Sequence, residues 1–147
     1  FGQLPTSFLF QEIREKRSLC YSIYSSMLSY DGVLSIICGI DAKQKDQVIQ
    51  CIDEQLKRIQ DGDFSDRELN PVKKMMCNSI QSSVDDGNSL INLAYQNTLL
   101  NQQETLDSIV DKIKSITKED VIKAFSKVEC RVRVIIEQED QNEEMCE

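Results

Sequence analysis

A change of hydrophobic period between residues 7 and 24 constrains the fold of this chain more than any other feature. Phe10 and Ile13 lie three residues apart among acidic and basic residues, which is helical spacing. From Leu19 onward, large and small residues alternate in a run rich in Tyr and Ile, which is typical of a strand. We therefore predict a helix that runs directly into a strand, with Arg14 near the helix end and Tyr21 near the strand start.

Two strands are predicted in addition to the one that begins at Leu19. The strand that begins there, residues 19–29, is followed by Asp31-Gly32, a dipeptide that tolerates the positive φ angles of a tight hairpin turn. Residues 33–40 are apolar at nearly every position and are expected to form the second strand of that hairpin. A closing strand is predicted over residues 130–136, where apolar and basic side chains alternate, so one of its faces should lie in water or in a charged groove.

Stripes of apolar residues predict five more helices between the second strand and the closing strand. These stripes cover residues 48–59, 69–84, 90–99, 106–116 and 121–125. Pro71 leaves two interpretations for the second of them. Either Ser65 caps a helix that is distorted at the proline, or the helix begins with Asn70 as its cap and Pro71 as its first residue. We favour a helix from Ser65 that is distorted at the proline, because helices readily absorb a proline near their starts.

The order of these elements predicts an α+β fold. Its architecture is expected to be a two-layer sandwich, in which helices pack on one face of a mainly antiparallel sheet. A length of 147 residues suffices for one hydrophobic core but not comfortably for two. We therefore assign residues 1–137 to a single domain and residues 138–147 to an acidic tail.

The charge balance excludes some classes of partner. The chain has 17 basic and 25 acidic residues, a net charge of -8, which argues against nucleic acid or an anionic membrane as a default partner. No apolar run approaches the roughly 20 residues that a membrane-spanning helix needs. Neither a nucleic acid nor a membrane is therefore expected to bind this domain.

The sequence contains no histidine. An H-x-x-E-H zinc motif, a Ser-His-Asp triad and a Cys-His pair all require one, so the isolated chain is expected to bind no catalytic zinc and to hydrolyse no peptide. The six cysteines form no C-x-x-C pair, which argues against a zinc-thiolate site. Scattered cysteines without a signal peptide favour a reducing, cytoplasmic location.

The stretch at the helix-to-strand junction carries a family resemblance. Leu9-Phe10-x-x-Ile13-Arg14-Glu15-Lys16-x-x-Leu19-x-Tyr21 resembles the second, non-metal domain of insulinase/pitrilysin-type zinc peptidases, in a bacterial-type member. Arg14 and Tyr21 match the Arg and Tyr of that family. Ser18 departs from the pattern, since the family usually has a glycine before the leucine, and this bears on the turn into the strand.

The resemblance implies a function shared between domains. In that family the first domain holds the inverted zinc motif, and the second supplies the Arg and Tyr that hold the backbone of the substrate. Arg14 and Tyr21 are thus the candidate site residues of a substrate-binding domain, with zinc expected in the partner domain and none in this chain. The implied partners are the metal-bearing domain, in the same or a paired chain, and a peptide substrate.

The resemblance also implies strand and helix sequence before residue 1. We therefore expect a fragment that lacks its first strand or strands, with an open sheet edge through which it could form a homo-oligomer. Whether the parent is an active peptidase or an inactive homologue stays open, because the discriminating zinc motif would lie upstream.

Three alternatives to the substrate-binding interpretation stand beside it. Arg14 could pair with Glu12 or Glu15 while Tyr21 is packed in the domain, so that both would be structural. The parent could be a non-proteolytic family member that is kept as an interaction or assembly domain. The chain could also be an unrelated cytosolic binding module whose helix and strand match by chance.

Overall fold

The structure is a computed structural model, and it describes residues 1–28 and 31–137. The helices are an opening helix, Phe10–Lys16, followed by α1 Lys45–Gln60, α2 Asp66–Ser82, α3 Gly87–Leu100, α4 Leu106–Ser115 and α5 Lys118–Phe125. The strands are β1 Ser22–Leu28 and β2 Val33–Gly39, and short 3-10 turns cover Ala42–Gln44 and Ser83–Asp85. The predicted acidic tail and the loop residues 29 and 30 lie outside the described residues.

The two strands form an antiparallel hairpin, as the sequence predicts. Ile23 pairs with Cys38, and Leu28 pairs with Val33 at the loop end. Gly32 in that loop has a φ of +65°, which glycine adopts at little cost. The first strand begins at Ser22 rather than at residue 19, because the chain is still turning out of the opening helix before it.

One face of the hairpin is covered by helices. The main core joins the opening helix, the hairpin and α1, and its buried members are Leu9, Ile13, Leu19, Ile23, Val48 and Cys51. This packing confirms the predicted α+β class with an antiparallel sheet. None of the helices in the described ranges is long and apolar enough to cross a membrane.

A second, smaller core lies between α2 and α4, where Cys77, Val110 and Ile113 are buried. Helix α5 is attached to α1, whose Gln60 side chain donates hydrogen bonds to the carbonyls of Phe125 at 3.0 Å and Val128 at 2.9 Å. These bonds tie the end of α1 to the end of α5.

The helix boundaries follow the capping signals of the sequence. Ser65 and Glu68 form a capping box at the start of α2, and Pro71 lies inside the helix. The structure therefore agrees with the favoured interpretation of Pro71. Thr105 and Thr117 form capping boxes at the starts of α4 and α5.

Two expectations are wrong. The spacing of the apolar residues in α3 predicts a core stripe, but no residue of α3 is buried, and Ile91 and Tyr95 are mostly exposed. The predicted closing strand, residues 130–136, belongs to no sheet in the described ranges, where the sheet has two strands. A strand needs a hydrogen-bonded neighbour, and the two described strands pair only with each other.

Candidate functional site

Arg14 lies on the outer side of the opening helix, which has the wide geometry of a π-helix. Its neighbour Ile13 is fully buried and fixes the orientation of the helix. The guanidinium carbon of Arg14 lies 4.9 Å from the centroid of the Phe10 ring, a cation–π contact. Phe10 is itself partly buried against the main core. The guanidinium of the exposed Arg14 thus packs on the ring of Phe10, which is held in place by the main core.

The carboxylates near Arg14 do not hold it. Glu12 forms its ion pair with Lys16, one helical turn further on. Within residues 1–28 and 31–137, neither Glu12 nor Glu15 forms an ion pair with Arg14. The structure therefore does not contain the ion pair with Glu12 or Glu15 that the structural alternative requires of Arg14.

Ser18 makes the turn from the helix into the strand. Its φ is +51°, a left-handed conformation that favours glycine. The N–H of Ser18 donates to the Arg14 carbonyl at 3.1 Å, and the N–H of Leu19 donates to the Ile13 carbonyl at 2.9 Å. The family's usual glycine at this position has a physical explanation, because glycine would adopt the same turn with less strain.

Tyr21 stands directly before β1 with a fixed backbone and an exposed side chain. Its N–H donates to the carbonyl of Gly39 at 2.8 Å, which extends the hairpin by one bond. The residue is 74% exposed. The Tyr21 hydroxyl forms no hydrogen bond to any described residue. The residue is therefore not packed in the domain, contrary to the structural alternative.

Two thiols, those of Cys20 and Cys38, lie near the junction. Burial raises the pKa of Cys20, while a hydrogen bond with Cys38 and the positive charge of Arg14 act in the opposite direction. Burial, together with Cys20, raises the pKa of Cys38 to about 12, so this thiol is neutral near pH 7 and is a poor nucleophile.

The sequence interpretation missed the support that Phe10 gives to Arg14. It assigned Phe10 to the apolar stripe alone. The four-residue spacing between Phe10 and Arg14 could have predicted their contact, because side chains at i and i+4 meet on a helix. It also missed the hydrogen bond between Cys20 and Cys38, which lie 18 positions apart in the sequence.

No metal site accompanies these residues. The described ranges contain no group of three or more His, Cys, Asp or Glu side chains that is placed to hold a metal ion. The exposed groups at the junction are instead a cation and a phenol, both hydrogen-bond donors. Such a pair can bind carbonyl or carboxylate oxygens.

The structure defines this chain as an α+β domain, and comparison with known proteins identifies its family. A family model described as the peptidase M16 inactive domain matches residues 1–76. The chain belongs to the peptidase M16 family, the family of the insulinase-type peptidases.

Relatives from bacteria have names that fit this family. The chain is 32% identical over 129 residues to "Probable inactive metalloprotease YmfF" of Bacillus subtilis, a match that covers 88% of this chain and 30% of the relative. It is 34% identical over 123 residues to "Uncharacterized zinc protease YmxG" of the same organism, with 82% and 30% covered. The chain thus spans about 30% of the length of these curated relatives.

Solved structures share the fold. A conserved protein from Enterococcus faecalis V583 superposes with a TM-score of 0.79 at 28% identity, which covers 84% of this chain and 29% of that one. A protease from Helicobacter pylori gives a TM-score of 0.69 at 15% identity, covering 85% of this chain and 31% of that one, and this likeness concerns the fold alone.

Proposed function

We propose that this chain is a substrate-binding domain of an insulinase-like zinc peptidase, in which Arg14 and Tyr21 hold the peptide backbone opposite a zinc site in another domain. The observation that carries the proposal is the presentation of Tyr21. Its backbone N–H is bonded to Gly39 and the residue is 74% exposed, while Arg14 on the preceding helix forms no ion pair with Glu12 or Glu15. A side chain that served only packing would be buried.

The two side chains can perform different parts of the task. The Tyr21 hydroxyl can donate a hydrogen bond to the carbonyl oxygen that becomes charged during peptide hydrolysis, and such donors stabilise the transition state more than the ground state. Arg14 can donate to a neighbouring peptide carbonyl and so fix the position of the substrate. The partner domain's zinc would supply the activated water and the Lewis acid.

The peptide clamp can be tested by two substitutions in the full-length protein. Tyr21→Phe removes only the hydroxyl, and the expected loss in kcat/KM on unstructured peptides is about 10²- to 10³-fold, the usual effect of losing one oxyanion donor. Arg14→Ala should also lower kcat/KM. Both variants should keep their free energy of unfolding within about 1 kcal/mol, because the two residues are exposed.

The chain offers a matched control for each substitution. Tyr24→Phe removes the hydroxyl of another exposed tyrosine, on β1 itself, and Arg17→Ala removes an exposed arginine whose partner is Glu54 at 3.3 Å. Both controls should retain wild-type turnover. If Tyr21→Phe and Arg14→Ala leave turnover as unchanged as the controls do, the clamp role is wrong.

A second candidate function has one observation in its favour. The relative YmfF carries the name of an inactive metalloprotease, and it matches most of this chain. We therefore keep the alternative of an interaction or assembly domain in a non-proteolytic family member. A full-length wild-type protein that has no peptidase activity with zinc supplied, and yet forms a stable complex with its partner domain, would favour this alternative.

A further inference from the structure

Arg14 is fixed at its backbone, but few contacts hold its side chain. Its carbonyl oxygen accepts hydrogen bonds from the N–H groups of Arg17 and Ser18. Within residues 1–28 and 31–137, its guanidinium forms no hydrogen bond and no ion pair. A long side chain of this kind samples many rotamers, and ordering it when a ligand binds costs conformational entropy. A clamp that uses Arg14 therefore needs a feature that limits these rotamers.

The ring of Phe10 is the contact that can limit them. The Arg14 guanidinium carbon lies over this ring, 4.9 Å from its centroid, which is within the range of an attractive cation–π contact. The ring is itself held in place, because Phe10 is partly buried and packs against the main core. The residue before it, Leu9, is fully buried in that core. A fixed ring under a mobile guanidinium favours the rotamers that keep the two in contact.

A second arginine shows how a guanidinium is held when it has other partners. The guanidinium carbon of Arg58 lies 4.7 Å from the centroid of the Phe8 ring, so it makes a similar cation–π contact. Arg58 also donates hydrogen bonds to the carbonyl of Asp63 and to a carboxylate oxygen of Glu68, both at 2.9 Å. Phe8 is thus one of several groups that orient Arg58.

We propose that Phe10 is a positioning residue of the peptide clamp, whose ring orients the Arg14 guanidinium before the substrate binds. This inference rests on the proposed function and adds a residue that acts through Arg14 rather than on the substrate. Orientation in advance lowers the entropy cost of binding and of reaching the transition state. The loss of an exposed cation–π contact corresponds to a change of about two- to fivefold in a rate or an equilibrium constant.

Peptide turnover by the full-length protein tests this role. Phe10→Leu keeps an apolar side chain but removes the ring, and it should lower kcat/KM by about two- to fivefold. Phe10→Tyr keeps the ring face and should restore the wild-type value. In an Arg14→Ala background, Phe10→Leu should have no further effect, because it acts only through Arg14. The positioning role is overturned if Phe10→Leu causes no loss, or the same loss in both backgrounds.

Phe8→Leu is the matched control for lost packing. It removes another partly buried ring from beneath an arginine, so it should cost the fold a comparable amount of stability. Its kcat/KM, measured well below Tm, should stay at the wild-type value. If Phe8→Leu lowers kcat/KM as much as Phe10→Leu does, the loss reports general destabilisation and the positioning role is wrong.

These measurements separate the positioning role from the proposed function. If Arg14→Ala alone leaves turnover unchanged, the clamp is wrong, and Phe10 has no catalytic group to position. If Arg14→Ala lowers turnover and Phe10→Leu does not, the clamp stands and only the positioning role is wrong.

An NMR measurement supplies a readout that needs no activity. In full-length protein with isotope-labelled arginine, the Arg14 Nε–H resonance can be assigned by its loss in Arg14→Lys. This resonance should move downfield in Phe10→Leu, because a group above an aromatic ring is shielded by the ring current, and it should stay in place in Phe8→Leu. An Arg14 resonance that is the same with and without the Phe10 ring would overturn the proposal.

Discussion

Ser18 carries a conformational strain that one substitution can relieve. Its φ of +51° is unfavourable for a residue with a Cβ. Ser18→Gly should raise the free energy of unfolding by about 0.5–1 kcal/mol, since the relief exceeds the extra entropy of glycine in the unfolded chain. Urea denaturation measures the change. Ser18→Val should lower the free energy of unfolding, because a β-branched residue fits this conformation worse.

A helical serine is the matched control for this prediction. Ser79 lies exposed inside α2, where a glycine costs roughly 0.5–1 kcal/mol. Ser79→Gly should therefore destabilise the protein while Ser18→Gly stabilises it. The strain at Ser18 is refuted if both variants lose stability to the same extent.

The sequence predicted the positions of the two candidate residues along the chain, but not their surroundings. The motif placed Arg14 and Tyr21 at the junction, and the noted departure at Ser18 fell on the residue with a left-handed φ. Neither the ring of Phe10 below Arg14 nor the contact between Cys20 and Cys38 followed from it. Such contacts depend on rotamers and on strand register, which a motif does not specify.

Among the elements, the end of α1 depends on its contact with α5. Gly62 has a φ of +72°, and a Cβ at this position would lie 2.7 Å from Cδ1 of Ile122. Gly62→Ala should therefore lower the free energy of unfolding by about 1–3 kcal/mol, through backbone strain and a displaced Ile122. The measurement is again the urea midpoint together with its slope.

Gly87 provides the control for this element. It begins α3, and a Cβ at this position would have no neighbouring atom within 4 Å. Gly87→Ala should be neutral or stabilising by up to about 1 kcal/mol, since it restricts the unfolded chain. Equal effects of the two Gly→Ala substitutions would contradict the proposed contact at Gly62.

The sequence predicted helices more completely than strands, for a physical reason. Caps such as Ser65 with Glu68 are satisfied within a few residues, so a local pattern can locate a helix. The alternation at 130–136 is equally clear, but a strand also requires a neighbour, which local patterning does not supply. The stripe on α3 was likewise visible, yet its burial depends on what packs against it.

For the whole molecule, the free energy of unfolding should fall at alkaline pH because of a thiol that packs against the main core. The pKa of Cys38 is raised from its ordinary value of 9.0 to about 12 in the folded state, so above pH 9 the thiol ionises more readily on unfolding. This contribution to stability is fully present below about pH 9 and is lost as the pH rises toward 12. Urea unfolding of wild type and Cys38→Ala between pH 8 and 11 measures it.

Between pH 8 and 11, the free energy of unfolding should fall more steeply for the wild-type protein than for Cys38→Ala. The difference in free energy of unfolding between the two proteins should therefore change with pH. The difference between the two curves removes the titration that both proteins share, such as that of lysines. Parallel curves would mean that Cys38 ionises equally in the folded and unfolded states.

The sequence by itself determined the α+β class, the helix starts, the hairpin and the family motif, because each is encoded in periodicity or in residues close along the chain. Only the tertiary structure decided that Arg14 rests on Phe10, that Tyr21 is exposed, and that residues 130–136 lie along α1 with an uncovered apolar row. These features join residues that are up to 80 positions apart. Their geometry depends on how the elements pack, and local sequence patterns do not contain it.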